Sequence, residues 1–173
     1  MRIPTQPLKI GITGRSCTGK TIVANQLHAA IGGKLRNCGE LIKAVAKAEK
    51  VSVADLSVDQ HRAFDLETRQ WIDALSTTAI VEGSYLDRVL DGVAGVFLVR
   101  LKCELLVRVG RLGLRKGGSA TTEEMTSRDE DEDALRCKVY GVADADCLDM
   151  VEIDTTYRSQ SEVVKAISDL LSS

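Results

Sequence analysis

Eight residues near the start of the chain have the types and spacing most suited to chemistry. They are Gly14, Arg15, Ser16, Cys17, Thr18, Gly19, Lys20 and Thr21, and they fit the pattern G-x-x-x-x-G-K-[ST] at every fixed position. In this pattern backbone N–H groups wrap a phosphate, the lysine contacts the β- and γ-phosphates, and the last hydroxyl ligates Mg²⁺. We therefore predict that these residues bind ATP with Mg²⁺ and that Lys20 also acts in catalysis.

The segments on either side of this loop are of the kind needed to position it. Residues 8–13 form a short apolar run rich in β-branched side chains, which indicates a buried strand. Residues 20–31 place Ile22, Val23, Leu27 and Ile31 at helical spacing. The loop is therefore expected between a strand and a helix, and the N-terminus of that helix favours a bound anion.

Strands and helices alternate along the rest of the chain. Short β-type runs are predicted at residues 34–37, 78–81, 95–101 and 150–153, and helices at 39–50, 61–75, 104–115, 122–140 and 159–171. This alternation is typical of an α/β fold with a mostly parallel sheet covered on both faces. We predict one three-layer domain over residues 1–173, with about five parallel strands.

Composition narrows the choice of partners and of compartment. The net charge of −2 argues against nucleic acid or an anionic membrane as a partner. No apolar run approaches the length of about 18 residues that a membrane span needs, and residues 1–8 lack the apolar core of a signal peptide. The five cysteines are an odd number without C-x-x-C spacing, which suggests reduced thiols. We expect a cytoplasmic protein, either a monomer or a homodimer.

Arginines concentrate in the segment from residue 104 to residue 140. Phosphoryl transfer depends on cations that close around the transferred group, and the planar, permanently charged guanidinium suits this role. On this ground Arg111, Arg128 and Arg136 are predicted to be catalytic, and Arg108 to bind the nucleotide. The alternative is a solvated helix face with ion pairs, which the acidic run at 129–133 favours for Arg128.

A few further residues are candidates for the metal and for a second substrate. Glu82 follows a predicted strand and could hold Mg²⁺ through water, together with Thr21. Lys43 could grip an acceptor phosphate, or be an exposed helix lysine. Asp65 and Arg69 could read a base edge, or pair with each other one helical turn apart.

The order of several short motifs resembles the cytidylate kinase family of nucleoside monophosphate kinases. The similar segments are residues 37–43, 65–70 and 80–83, Arg128 and Arg136 with Tyr140-Gly141, and residues 153–155. The resemblance implies phosphoryl transfer from ATP to CMP or dCMP, with a lid at about residues 112–127. It also implies an acceptor site formed by Cys38, Gly39, Lys43, Asp65, Arg69, Gly83 and Arg88.

The sequence departs from the family pattern only on the acceptor side and in the lid. Ser84 stands where the family usually has arginine, Lys43 also replaces an arginine, and Cys38 replaces a serine. Two alternatives therefore stay open. One is a kinase for another small-molecule acceptor, with Asp65 or Glu40 orienting a hydroxyl. The other is an ATP-binding regulatory protein with little turnover.

Overall fold

The computed structural model describes residues 7–142 and 150–172. Its strands are β1 (Lys9–Thr13), β2 (Lys34–Asn37), β3 (Ala79–Glu82), β4 (Val96–Lys102) and β5 (Val151–Asp154). Its helices are α1 (Lys20–Ile31), α2 (Cys38–Ala48), α3 (Val58–Asp73), α4 (Leu86–Val89), α5 (Leu105–Lys116), α6 (Thr122–Tyr140) and α7 (Gln160–Leu170). The expectation of a cytoplasmic protein rests partly on Cys147 and on residues 1–6, and these lie outside the described residues.

The five strands form one parallel sheet in the order β2-β3-β1-β4-β5. β1 lies at the centre, where Gly11 is opposite Val81 of β3 on one side and Leu98 of β4 on the other. Because all strands run the same way, their carboxyl ends meet at one edge of the sheet. The predicted α/β fold with helices on both faces is confirmed.

The apolar core lies in two layers, one on each face of the sheet. Ile10 and Ile12 of β1 pack with Leu27 of α1 and Ile167 of α7. On the other face, side chains of β3 pack with Ile72 of α3 and with α4. Successive residues of a strand point to opposite faces, so every second apolar residue enters each layer. The central strand is thereby held rigidly from both sides.

A third, smaller cluster attaches the helices α5 and α6 to the loop that follows β1. Leu112 of α5 and Met125 of α6 bury their side chains against Cys17. The Thr121 hydroxyl accepts a hydrogen bond from the Glu124 N–H and so begins α6. The segment predicted as a lid, residues 112–127, therefore comprises the end of α5, a connection and the start of α6.

Two short elements escape the sequence analysis. The four-residue helix α4 and a single 3₁₀ turn at Val53–Asp55 are too short for a helical pattern to repeat within them. The other elements fall within three residues of their expected ends. Over residues 7–142 and 150–172, none of the helices combines the length and the apolar character that crossing a membrane requires.

Candidate active site

The loop between β1 and α1 has the backbone shape of an anion cradle. Three of its residues have positive φ angles: Gly14 (143°), Cys17 (62°) and Gly19 (100°). Positive φ angles in such a loop allow backbone N–H groups to point towards one concave side. Gly14 is also required sterically, because a Cβ atom there would lie 2.4 Å from the carbonyl oxygen of Leu101.

Lys20 begins α1 and folds back over the loop. Its Nζ donates hydrogen bonds to the carbonyl oxygens of Gly14 (2.6 Å) and Arg15 (2.8 Å). Desolvation lowers the pKa of Lys20, while the negative charges of Glu132 and Glu82 act in the opposite direction. The ammonium group is thus held at the mouth of the loop, beside the positive end of a helix.

A hydroxyl and a carboxylate meet next to the loop. The Thr21 Oγ1 donates to Glu82 Oε1 at 3.3 Å, since β3 ends in register beside β1. Burial raises the pKa of Glu82, and the charge of Lys20 lowers it. Within the described part of the chain, no group of three or more His, Cys, Asp or Glu side chains could hold a metal. The donor set, a hydroxyl with one carboxylate, suits Mg²⁺ that keeps water and phosphate ligands.

The outer side of the loop is braced by residues that are distant in sequence. Arg111 of α5 donates to the carbonyl oxygens of Cys17 and Thr18, both at 3.3 Å. It also donates to the Thr155 carbonyl oxygen at 2.7 Å, and the Thr155 hydroxyl donates to Thr18 O at 3.0 Å. Arg111, predicted to be catalytic, therefore hydrogen-bonds to the main-chain carbonyl oxygens of the loop.

One face of α6 lies against the first half of the loop. Arg15 donates two hydrogen bonds to the Asp133 carboxylate, at 2.9 and 3.0 Å. Arg108 of α5 makes two hydrogen bonds of 2.7 Å to Asp129 and a longer one to the Ser16 carbonyl oxygen. These bidentate pairs join the loop to α5 and α6. The guanidinium of Arg108, predicted to bind the nucleotide, is thereby engaged by Asp129.

Glu132 lies on the same face of α6, one residue before Asp133. Tyr85 donates from its hydroxyl to the Glu132 main-chain carbonyl at 2.9 Å. The Glu132 carboxylate interacts with the N–H of Ser16 and with the charge of Lys20. Burial is the main influence on this group and raises the pKa of Glu132 above its usual range.

Arg136, one helical turn beyond Glu132, forms a buried ion pair. Its guanidinium makes two hydrogen bonds to the Asp87 carboxylate, and it stacks over the Tyr85 ring at 5.8 Å. Arg88 also approaches Asp87, with its Nε at 3.7 Å. The predicted catalytic Arg136 is thus neutralised by an aspartate that the sequence analysis did not single out.

Some of these groups line a cavity of about 440 Å³ at the carboxyl edge of the sheet. Gly14, Arg15 and Thr18 line it from the loop, and Glu132, Asp133 and Arg136 line it from α6. Residues 84, 85 and 87, the end of β4 and residues 103, 104, 108 and 154 line its other sides. The volume lies within the range of about 300–1,000 Å³ that small-molecule sites occupy.

The predicted acceptor residues are distributed around β3, α2 and α3. Gly83 packs closely on Cys38, whose pKa burial raises to about 12. Lys43 lies near enough to lower the pKa of Glu82, and Gly39 precedes it on α2. Asp65 accepts a 2.5 Å hydrogen bond from the Tyr140 hydroxyl.

Of the predicted site residues, Gly14, Arg15, Thr18, Arg108 and Arg136 line the cavity, and the remaining ones, including Lys20 and Glu82, lie outside its lining. Arg69 of α3 extends towards Gly92, and Arg128 is exposed on α6 beside Glu124, at 3.8 Å. Conversely, the structure brings unpredicted residues to the site, among them Tyr85, Asp87, Glu132, Asp133 and Thr155. Periodicity within the acidic run could have revealed Asp129, Glu132, Asp133 and Arg136 as one helix face.

Comparison with known proteins identifies the fold. No protein-family model matches the chain, and no curated protein does. A gluconokinase from Sinorhizobium meliloti superposes with a TM-score of 0.66 at 18% identity, over 95% of this chain and 90% of that one. A sugar kinase from Janibacter superposes with a TM-score of 0.65 at 17% identity, over 96% of this chain and 95% of that one. Shikimate kinase from Acinetobacter baumannii, in complex with shikimate, superposes with a TM-score of 0.61 at 14% identity, over 96% of this chain and 93% of that one. The chain therefore has the fold of the P-loop kinases.

Proposed function

We propose that this protein is an ATP-dependent kinase that phosphorylates a hydroxyl group of a small polar molecule. The observation that carries the proposal is the position of the phosphate-binding loop at the wall of the 440 Å³ cavity. The loop supplies Lys20, and Thr21 and Glu82 meet beside it. Such an arrangement provides the cation, the metal ligands and the adjoining space that phosphoryl transfer requires.

The nucleotide half of the proposal depends on the loop itself. The N–H groups of residues 14–21 and the Lys20 ammonium would hold the phosphates, and Thr21 with Glu82 would hold Mg²⁺ through its hydroxyl and through water. The ion would neutralise negative charge on the phosphate oxygens. Arg111 and Thr155 would keep the loop in this shape from outside.

The residues on the acceptor side of the cavity favour a hydroxyl group over a phosphate group as the acceptor. A phosphate acceptor needs cations that are free to bind it, yet Arg88 and Arg136 both face Asp87. Arg128 is away from the cavity, and Ser84 stands where the resembling family has arginine. The structural neighbours named gluconokinase, sugar kinase and shikimate kinase support a small-molecule acceptor.

A nucleoside monophosphate is the second candidate acceptor. Lys43 favours it, because this lysine lies close enough to Glu82 to influence its pKa and could grip a phosphate near the loop. The family resemblance of segments 37–43 and 128–141 points the same way. The two acceptors differ in one chemical need, since a phosphate is already ionised and a hydroxyl must lose a proton.

Formation of ADP from ATP and Mg²⁺ tests the proposal directly. The acceptor panel contains D-gluconate, shikimate, glycerol, CMP, dCMP, UMP, AMP and GMP, with water alone as blank. We expect stimulation by a hydroxyl acceptor and a loss of about 10²–10³-fold in Lys20→Ala, the usual cost of removing a group that stabilises transition-state charge.

The matched control is Lys47→Ala, which removes an exposed lysine from α2 and should keep full turnover. Stimulation by nucleoside monophosphates alone would replace the hydroxyl acceptor with the second candidate. Tight ATP binding without turnover on any acceptor would contradict the kinase proposal and favour an ATP-binding regulatory protein.

A further inference from the structure

Glu132 differs from every other carboxylate on its face of α6. Asp129 and Asp133 are each held by an arginine through two short hydrogen bonds. Glu132 lies between these two residues in the sequence, but among the described residues no ion-pair partner lies within 4.0 Å of it. Glu130 and Asp131, also without an ion pair there, are exposed to solvent. Glu132 is therefore an inward-facing carboxylate that no cation neutralises directly.

The frame around Glu132 fixes where its carboxylate lies. The Tyr85 hydroxyl holds the main-chain carbonyl of Glu132 itself. Arg108 and Arg15 hold the residues three positions before and one position after it. A side chain supported on a braced helix turn keeps its position far better than one on a free loop, as a group in proton transfer must.

The surroundings of the carboxylate place it where chemistry would occur. It faces the Ser16 N–H at the start of the phosphate-binding loop, and Lys20 of the same loop is the cation that lowers its pKa most. It lines the cavity, as Gly14 of the loop also does. A small molecule in the cavity would therefore lie beside both the Glu132 carboxylate and the loop.

We propose that Glu132 is the general base that accepts the proton of the acceptor hydroxyl. This inference rests on the proposed hydroxyl kinase function. As the acceptor oxygen bonds to the γ-phosphorus, the bond from that phosphorus to the β–γ bridging oxygen breaks and ADP leaves. The hydroxyl proton passes to Glu132, which becomes a carboxylic acid and later releases the proton to water. The products are a phosphate ester, ADP and one proton.

The other acids in and near the cavity lining are already engaged. Asp133 pairs with Arg15, Asp154 accepts from Thr156, and Glu104 accepts from Tyr157. Asp87 is shared by Arg136 and Arg88, and Glu82 accepts from Thr21 on the metal side. Asp65 accepts from Tyr140, and the structure does not place it on the cavity wall. A carboxylate with a raised pKa and no direct cation is the better proton acceptor near neutral pH.

The deciding experiment compares Glu132→Gln with Glu130→Gln. The two changes remove the same charge from the same helix, two positions apart. We expect Glu132→Gln to lose about 10²–10⁴-fold in kcat on the hydroxyl acceptor, the usual contribution of a general base, with unchanged ATP affinity by calorimetry and an unchanged thermal midpoint. Glu130→Gln should keep the wild-type kcat.

The pH profile separates a base from a merely structural group. Wild-type kcat should fall as pH drops through the pKa of Glu132, which burial and Asp129 raise and Lys20 and Arg15 lower. Tyr85, Asp133 and Arg136 line the same cavity as Glu132. In Glu132→Gln that acidic limb should disappear, and Glu132→Asp should restore it with part of the kcat.

Three results would overturn the inference. The first is full turnover by Glu132→Gln on a hydroxyl acceptor that wild type phosphorylates, which leaves the kinase proposal intact. The second is tighter ATP binding with faster turnover, which would make the Glu132 carboxylate a competitor of phosphate for the loop. The third is wild-type turnover on nucleoside monophosphates alone, or on nothing, in which case the hydroxyl kinase proposal fails as well.

Discussion

The two walls of the cavity are built in different ways. The loop at residues 14–21, proposed to bind phosphate, is mainly a backbone structure, whose shape comes from positive φ angles at Gly14, Cys17 and Gly19. The facing turns of α6 are a side-chain structure, in which Asp129, Asp133 and Arg136 form bidentate ion pairs with distant residues. One wall depends on local conformation and the other on contacts between elements.

This difference explains why the two walls tolerate change differently. A backbone cradle needs small residues at a few fixed positions, and its function fails when one gains a side chain. An ion-paired wall needs both members of each pair, because one buried charge left alone is costly. The loop should therefore be sensitive to added atoms, and α6 to lost partners.

The largest effect on stability is expected from Arg136→Ala. The change leaves Asp87, which is 2% exposed, without its bidentate partner. Removing one member of a buried pair costs about 3–5 kcal/mol, and the nearby Arg88 should keep the cost near the lower end. Urea unfolding followed by circular dichroism measures the change in the free energy of unfolding.

A double variant provides the control for this prediction. In Asp87→Ala/Arg136→Ala neither charge is left buried, so part of the lost stability should return. An additive double variant would show that the two side chains stabilise the fold independently, and would remove the contrast between the walls.

A smaller effect is expected from Gly14→Ala on the loop wall. The added Cβ would meet the Leu101 carbonyl oxygen at 2.4 Å, at a φ of 143°. Strain of about 1–3 kcal/mol at such a position should weaken ATP binding by roughly tenfold or more, measured by calorimetry. Gly110→Ala on α5 is the control, because a Cβ there meets no atom within 4 Å. Unchanged ATP affinity in Gly14→Ala would contradict the backbone account of the loop.

The smallest effect is expected from Arg128→Ala, eight residues from Arg136 on the same helix. Its guanidinium lies 3.8 Å from Glu124, and 46% of its side chain is exposed. Exposed pairs contribute about 0.5 kcal/mol or less, so urea unfolding should barely change. A loss comparable to that of Arg136→Ala would mean that burial does not distinguish the two arginines.

The sequence alone predicts most of the fold, because the strands and long helices have periodic patterns. Helix α6 begins at Thr122 and ends at Tyr140 as expected, since Thr121 caps it and Gly141 ends it. Helix α4 was missed because four residues are too few for a helical pattern to repeat. The order of the strands was not predicted either, because it depends on contacts between segments far apart in the chain.

The candidate site likewise has one part that local sequence predicts and another that depends on contacts between distant residues. The loop is a contiguous motif, and its geometry follows from eight neighbouring residues. By contrast, Arg15 and Asp133 are 118 residues apart, and Thr18 and Thr155 are 137 apart. No local pattern couples such residues, so the acidic run of α6 could equally have been a solvated surface.

The sequence by itself therefore determined a loop of the pattern G-x-x-x-x-G-K-T between a strand and a helix, within an α/β fold. Local dihedral preferences and hydrophobic periodicity act over a few residues, and these are visible in the order of amino acids. Only the tertiary structure decided which charges are paired, leaving Arg136 neutralised by Asp87 and Glu132 facing the loop. The physical reason is that burial and ion pairing are set by neighbours in space, which chain folding brings together.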